Sequence, residues 1–155
     1  MKRFLNIFAA IVALGILTGC YEEIDLVDGG TYTVINYTTN DNEVADIRTG
    51  YYGMHVISNT YTDGVGKVVV KGKITHFYPY FRYSGNVTSV TIPEGVTEIE
   101  SDAFDYCDRL ASVTLPKTLV TIGSYAFQDC DALASIVIPD KVTTIDRGAF
   151  WGCIA

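Results

Sequence analysis

The sequence has few of the residues from which metal sites and nucleophilic active sites are built. Its 155 residues include two histidines, His55 and His76, and four cysteines. No His-Glu-x-x-His motif, Cys-x-x-Cys pair or Gly-x-Ser-x-Gly elbow occurs. His55 lies in an alternating stretch and is interpreted as a strand residue rather than a ligand. The sequence therefore predicts no enzyme activity, no metal and no cofactor.

Basic residues are also scarce. The chain has 11 Lys and Arg against 18 Asp and Glu, a net charge of −7. Loss of Lys2 and Arg3 with an N-terminal signal would leave 9 basic against 18 acidic residues, a net charge of −9. Nucleic acids and anionic lipid surfaces repel such a chain. Nucleic-acid binding is thereby excluded as a main role.

The N-terminus has the layout of a secretory signal. Lys2 and Arg3 precede the uncharged apolar run Ile7–Leu17, which is too short to span a bilayer comfortably. The next residues, Leu17-Thr18-Gly19-Cys20, resemble the lipobox of bacterial lipoproteins at all four positions. This resemblance implies that a signal peptide, residues 1–19, is removed and that Cys20 is lipidated. Two or three acyl chains then give a stable membrane anchor.

The residues after Cys20 are acidic. Tyr21-Glu22-Glu23-Ile24-Asp25 resembles the surface-export signal of lipoproteins from gut and oral Gram-negative bacteria. The resemblance implies a lipid-anchored protein on the outer membrane, at the cell surface. A soluble tether is the alternative interpretation of the same residues.

An internal repeat with a period of 23 residues dominates the rest of the chain. Its most regular columns are Phe81, Phe104, Phe127 and Phe150; Cys107, Cys130 and Cys153; and Pro93, Pro116 and Pro139. Within each unit a short alternation such as Val113-Thr114-Leu115 predicts a half-buried strand, which the following proline ends. One unit cannot offset the entropy of ordering its backbone, so the units must stack.

The predicted fold is a β-dominated repeat solenoid with short turns or 3-10 segments. Residues 20–30 are interpreted as a tether and residues 31–67 as a β-rich N-terminal cap, in which the alternation of residues 31–38 predicts a strand. Residues 68–155 contain one degenerate and three clear repeats, the last of them incomplete. No polar cap follows Cys153, which leaves open a truncated structural fragment of a longer repeat protein.

The segment Leu110–Cys130, LASVTLPKTLVTIGSYAFQDC, resembles the BspA-type leucine-rich repeats of bacterial surface proteins. The resemblance covers residues 68–155 and implies a leucine-rich-repeat solenoid. It also implies adhesion to host matrix proteins or to other bacteria. The expected partner is a host or bacterial surface protein or a polysaccharide.

The strand residues that face away from the predicted core form the first candidate binding site. They are rich in hydroxyl groups and nearly uncharged, and repeat solenoids commonly bind partners on such a sheet face. The predicted site residues are Ser89, Thr91, Ser112, Thr114, Ser135 and Val137.

A tyrosine-rich segment offers an alternative site for a glycan-binding accessory lipoprotein. Tyr78, Tyr80 and Tyr83 could form a ligand platform, because tyrosine is enriched at binding hot spots. Trp151 is a further candidate. The same tyrosines lie at the junction of cap and repeats, where aromatic rings also serve simply to fill space.

Two other groups are interpreted as structural. Cys107, Cys130 and Cys153 share the period of the core and are predicted to be buried thiols rather than disulfides. Five acidic residues in the first clear repeat are interpreted as a solvated face rather than a calcium site, because no Asp-x-Asp-x-Asp-Gly loop is present. They are Glu98, Glu100, Asp102, Asp105 and Asp108.

Overall fold

The computed structural model describes residues 30–49 and 55–155. The predicted signal peptide, the lipidation site at Cys20 and most of the predicted tether lie outside these ranges. In the two ranges no helix is long and apolar enough to cross a membrane.

The described residues form two β-sheets joined by turns. The strands are β1 (Tyr32–Thr39), β2 (Val56–Thr62), β3 (Val65–Lys71), β4 (His76–Phe77), β5 (Val87–Thr91), β6 (Glu98–Ile99), β7 (Ser112–Thr114), β8 (Thr121–Ile122) and β9 (Thr144–Ile145). The first sheet has the order β2-β3-β1-β5-β7 and the second has the order β4-β6-β8-β9. Every pairing in the second sheet is parallel, as expected when successive units of a solenoid stack.

The repeat alternation produces the predicted strand in β7. Val113 is buried between the exposed residues Ser112 and Thr114. The strand ends before Pro116, which is buried and lacks an amide hydrogen with which to continue the ladder. Leu119 and Ile122 are then both fully buried, so this unit contributes side chains to the core from its strand and from the segment after it.

Phenylalanine rings stack in a column along the repeat axis. The centroids of Phe104 and Phe127 are 5.0 Å apart, and those of Phe127 and Phe150 are 5.3 Å apart, with nearly parallel planes. Phe81 continues the column, 6.0 Å from Phe104. This stacking explains why the same ring recurs every 23 residues in the sequence.

Left-handed backbone recurs in one turn of each unit, and we call the part of the surface formed by these turns the turn side. Tyr83, Tyr106, Asp129 and Gly152 follow one another at the repeat interval, and all have φ between 51° and 78°. In this region a residue other than glycine costs about 1–2 kcal/mol. The repeated turn therefore dictates the backbone, and only Gly152 adopts it without that cost.

The N-terminal strands pack on the first repeats through Tyr37. Its ring lies across Gly66 in the neighbouring strand β3, and its edge meets the ring of Phe81 with centroids 5.5 Å apart. Its hydroxyl donates to Asn59 Oδ1 at 2.7 Å and accepts the amide hydrogen of Ala45. The apolar core is consequently continuous from β1 and β3 into the repeats.

Strand β3 crosses residue 67, the position at which the sequence analysis places the boundary between cap and repeats. It pairs antiparallel with β1 on one side and β2 on the other. β1 in turn pairs antiparallel with β5, the first strand of the repeat sheet. The strands before the repeats thus extend the repeat sheet instead of forming a separate layer.

Candidate binding surface

One row of polar side chains crosses all five strands of the first sheet. Directly paired residues in adjacent strands share a face, and the register joins Thr60, Lys67, Asn36, Thr91 and Thr114 in this order. All five are exposed or half-buried. With strands about 4.8 Å apart, the row is about 19 Å long. We call it the polar row.

A second, shorter row lies beside it. Thr38, Ser89 and Ser112 are paired across β1, β5 and β7. The hydroxyl of Thr38 lies 2.7 Å from those of both Thr88 and Ser89. The Ser89 hydroxyl therefore already has a partner within the protein, whereas Ser112 is exposed.

The structure places four of the six predicted sheet-face residues on strands of the first sheet and two outside it. Thr91 and Thr114 lie in the polar row, and Ser89 and Ser112 lie in the shorter one. Ser135 and Val137 are exposed, Val137 to 87%, but they belong to no strand among those assigned in residues 55–155. The expectation of a third hydroxyl-bearing strand was wrong, because the sheet ends at β7.

The N-terminal half of this surface is not evident from the repeat pattern. Asn36, Thr38, Thr60 and Lys67 lie on strands that carry no repeat, so the period could not place them. The alternation of residues 31–38 did predict a strand. Which strand it would pair with depends on long-range packing, which a local pattern does not encode.

The three tyrosines of the alternative site do not form one exposed platform. Tyr80 is fully buried, with its ring edge against Phe77 at 5.3 Å, so it cannot contact a ligand on the surface. Burial raises the pKa of its hydroxyl far above the usual value. Tyr78 is half-buried and stacks on His76 with centroids 6.3 Å apart.

Tyr83 is exposed to 45%, but its ring is already occupied by cations. The guanidinium carbons of Arg82 and Arg48 lie 4.8 Å and 5.3 Å from the ring centroid. Tyr106, exposed to 47%, lies beside it with centroids 5.5 Å apart.

Further along the turn side, Trp151 is 62% exposed and its ring is 6.2 Å from that of Tyr125. Tyr106 and Tyr125 are aromatic contacts that the sequence analysis did not single out.

Part of the acidic cluster is not a solvated face. Asp105 is buried and forms an ion pair with Arg82, whose Nη2 lies 3.0 Å from its Oδ2. Burial raises the pKa of the Asp105 carboxyl, and the hydrogen bond and charge of Arg82 oppose that rise. Arg82 also lies 3.6 Å from Asp102. Asp108 is exposed, as predicted.

Glu98 and Glu100 have a partner that the sequence analysis did not foresee. His76 Nδ1 lies 2.7 Å from Glu100 Oε1 and 3.6 Å from Glu98 Oε2. All three side chains are partly exposed. Their ligand atoms lie within 4.8 Å of one another, a separation at which the three could hold a metal ion.

The cysteine column consists of free thiols, as predicted. Cys107 and Cys130 are buried and Cys153 is partly so. Each Sγ lies 2.9–3.2 Å from a phenylalanine carbonyl oxygen of the preceding repeat unit, and the thiol can donate to it. We call each stacked repeat unit a coil. Burial raises the pKa of the Cys107 thiol to about 12, and it also raises those of Cys130 and Cys153. Thiols so rarely ionised are poor nucleophiles and poor metal ligands at neutral pH.

These features define a strand-dominated leucine-rich-repeat solenoid with a polar sheet face. The model of the family described as "BspA type Leucine rich repeat region (6 copies)" matches residues 76–155. The chain belongs to this family. No curated protein matches the chain.

Two solved structures are similar. A leucine-rich repeat protein from Bacteroides ovatus is 28% identical, with a TM-score of 0.51, and the match covers 82% of this chain and 32% of that one. A leucine-rich repeat protein from Eubacterium ventriosum is 38% identical, with a TM-score of 0.49, covering 52% of this chain and 22% of that one. The chain thus spans a third or less of the length of these proteins.

Proposed function

We propose that this protein is a lipid-anchored module of the bacterial cell surface that binds a macromolecular partner through the polar row. The observation that carries the proposal is the row itself, which crosses five strands and contains one charged residue, Lys67. Hydroxyl and amide groups both donate and accept hydrogen bonds, so such a surface suits an uncharged polar partner. A surface protein or a polysaccharide of host or bacterial origin has this chemistry.

Membership of the BspA-type family supports a binding role over catalysis. Adhesion to host matrix proteins or to other bacteria is the form of binding that this family resemblance suggests. The position of the anchor follows from the lipobox-like residues 17–20 and the acidic residues after them.

The anchor is tested by metabolic labelling. In a bacterial host fed labelled palmitate, the wild type should incorporate label and Cys20→Ser should not, because the thiol is the acylated group. Equal labelling of the two would contradict the lipoprotein assignment. Protease treatment of intact cells then tests exposure, since a protein that faces the periplasm would survive it.

The binding face is tested with charges placed in the polar row. Immobilised wild type is offered a panel of host matrix proteins and polysaccharides, and retained partners are compared with those of Thr91→Lys/Thr114→Lys. In the bound state, the two introduced lysines would bury unpaired ammonium groups against a neutral partner. This should weaken capture by at least about tenfold.

Thr121→Lys/Thr144→Lys is the matched control. These two threonines are paired on adjacent parallel strands of the other sheet, and one is half-buried and one exposed, like Thr91 and Thr114. The control should bind as the wild type does. Equal capture by both double variants would contradict the sheet-face assignment.

A glycan-binding role is the second candidate, favoured by the exposed rings of Tyr106 and Trp151 on the turn side. Aromatic faces pack against the apolar faces of sugar rings. In the same panel, Tyr106→Ala and Trp151→Ala should abolish capture of a polysaccharide if this site is used. Retention of binding by both would leave the sheet face as the site.

A further inference from the structure

A histidine and two glutamates converge at the first edge of the second sheet. His76 lies in β4, Glu98 in β6, and Glu100 directly after β6. His76 Nδ1 is 2.7 Å from Glu100 Oε1 and 3.6 Å from Glu98 Oε2. Among the residues that the structure describes, this is the group of histidine, cysteine and acidic side chains that is close enough to share one ion.

The backbone fixes this convergence. His76 and Glu98 are direct partners in the parallel pairing of β4 and β6, and Glu100, two residues further on, points to the same side. The amide of Glu98 donates to Thr75 O, and that of Glu100 donates to Phe77 O at 3.0 Å. Phe77 is fully buried and anchors strand β4 in the core. The backbone positions of the three residues are thus fixed before any ligand arrives.

We propose that His76, Glu98 and Glu100 bind a divalent transition-metal cation of the zinc class. Zn–N and Zn–O bonds of about 2.0–2.2 Å at tetrahedral angles separate neighbouring ligand atoms by about 3.4 Å. The observed separations of 2.7 Å and 3.6 Å from His76 Nδ1 lie on either side of this value. Small side-chain rotations would seat the cation, with water as the fourth ligand.

The donor set determines the kind of cation. An imidazole nitrogen suits zinc and its neighbours, whereas calcium and magnesium prefer oxygen ligands alone. Two carboxylates with one neutral imidazole carry two negative charges, which a divalent cation balances.

A bound cation would join the first coil to the second. It would link β4 to β6 at the edge where the second sheet begins, and it would stabilise the folded state because the unfolded chain lacks the assembled site. Tyr78 stacks on the imidazole and would hold its orientation.

The test titrates Zn²⁺ into the full reduced chain by calorimetry. One zinc ion should bind, and His76→Ala, Glu98→Gln and Glu100→Gln should each weaken binding by at least about a hundredfold, since even partners outside the ligand shell are worth 10–100-fold. Glutamine keeps the volume of glutamate, so the two Gln variants should remain folded. His55→Ala and Glu43→Gln, both exposed and away from the cluster, should bind as the wild type does.

Two further readouts separate this site from the thiols and from the proposed partner binding. With Co²⁺, oxygen and nitrogen ligands should give weak visible bands without the intense thiolate charge-transfer absorption. Zn²⁺ should raise the melting temperature of the wild type but not of Glu100→Gln, and EDTA should reverse the rise. No zinc binding, unchanged affinity in the three variants, or a thiolate band would overturn the proposal. No macromolecular partner is present, so the result is independent of the sheet-face assignment.

Discussion

Phe127 illustrates how a single position stabilises the repeat stack. It is fully buried, and its ring is sandwiched between those of Phe104 and Phe150. Replacing it removes dispersion contacts with both neighbouring coils and leaves a cavity that stacked rings cannot easily fill.

Phe127→Ala is expected to lower the free energy of unfolding by about 3–5 kcal/mol, measured by urea denaturation. Asp131→Ala, at an exposed position of the same coil, should change it by no more than about 0.5 kcal/mol. Asp129 is unsuitable as the control because its backbone is left-handed, with φ of 51°, and alanine would add strain there. Similar losses in Phe127→Ala and Asp131→Ala would contradict the assignment of Phe127 to the core.

Residue-level prediction from the sequence succeeded where the period applied and failed where it was interrupted. The period of 23 correctly placed the phenylalanine and cysteine columns in the interior as far as Phe127 and Cys130, whereas Phe150 and Cys153 are only partly buried. Counting back 23 residues from Ile99 gives His76, but the structure places Phe77 there, because the first coil is one residue shorter at this point. This shift brings His76 out beside Glu98 and Glu100, a contact that the regular repeat hides.

At the scale of elements, the sequence predicted β1 as a strand but not its place in the sheet. Its alternation predicted a strand, but not the pairing with both β3 and β5. The partners of an antiparallel strand depend on packing between residues that are far apart in the sequence.

The environment of Tyr80 was not predictable either. Its neighbours suggest a surface platform, yet the junction of cap and repeats buries it against Phe77.

The contact between strand β3 and the ring of Tyr37 in β1 gives a prediction at the scale of elements. A Cβ added at Gly66 would overlap ring carbons of Tyr37, so Gly66→Ala must displace the ring that also contacts Phe81. We expect a loss of about 1–3 kcal/mol in unfolding free energy. Gly85→Ala, where a Cβ would meet nothing within 4 Å, should change it by about 0.5 kcal/mol or less. Equal effects would mean that the Tyr37 contact does not couple β1 to β3.

For the whole molecule, the sequence predicted the leucine-rich-repeat class, and the structure adds the extent of its sheet. The strands before the repeats lengthen the polar face from the two strands β5 and β7 to five strands. The repeats also explain why a surface of this kind tolerates polar residues. The core lies on the other side of each strand, so the outward positions are free to carry the chemistry of recognition.

The central claim is that a macromolecular partner lies on the polar row. The most direct measurement is photo-crosslinking from an unnatural side chain placed at Thr114, with the same group at Thr144 as the control. Both residues are exposed strand residues, one on each sheet. The account predicts a crosslink to the captured partner from position 114 and none from position 144. A crosslink from position 144 alone would contradict it.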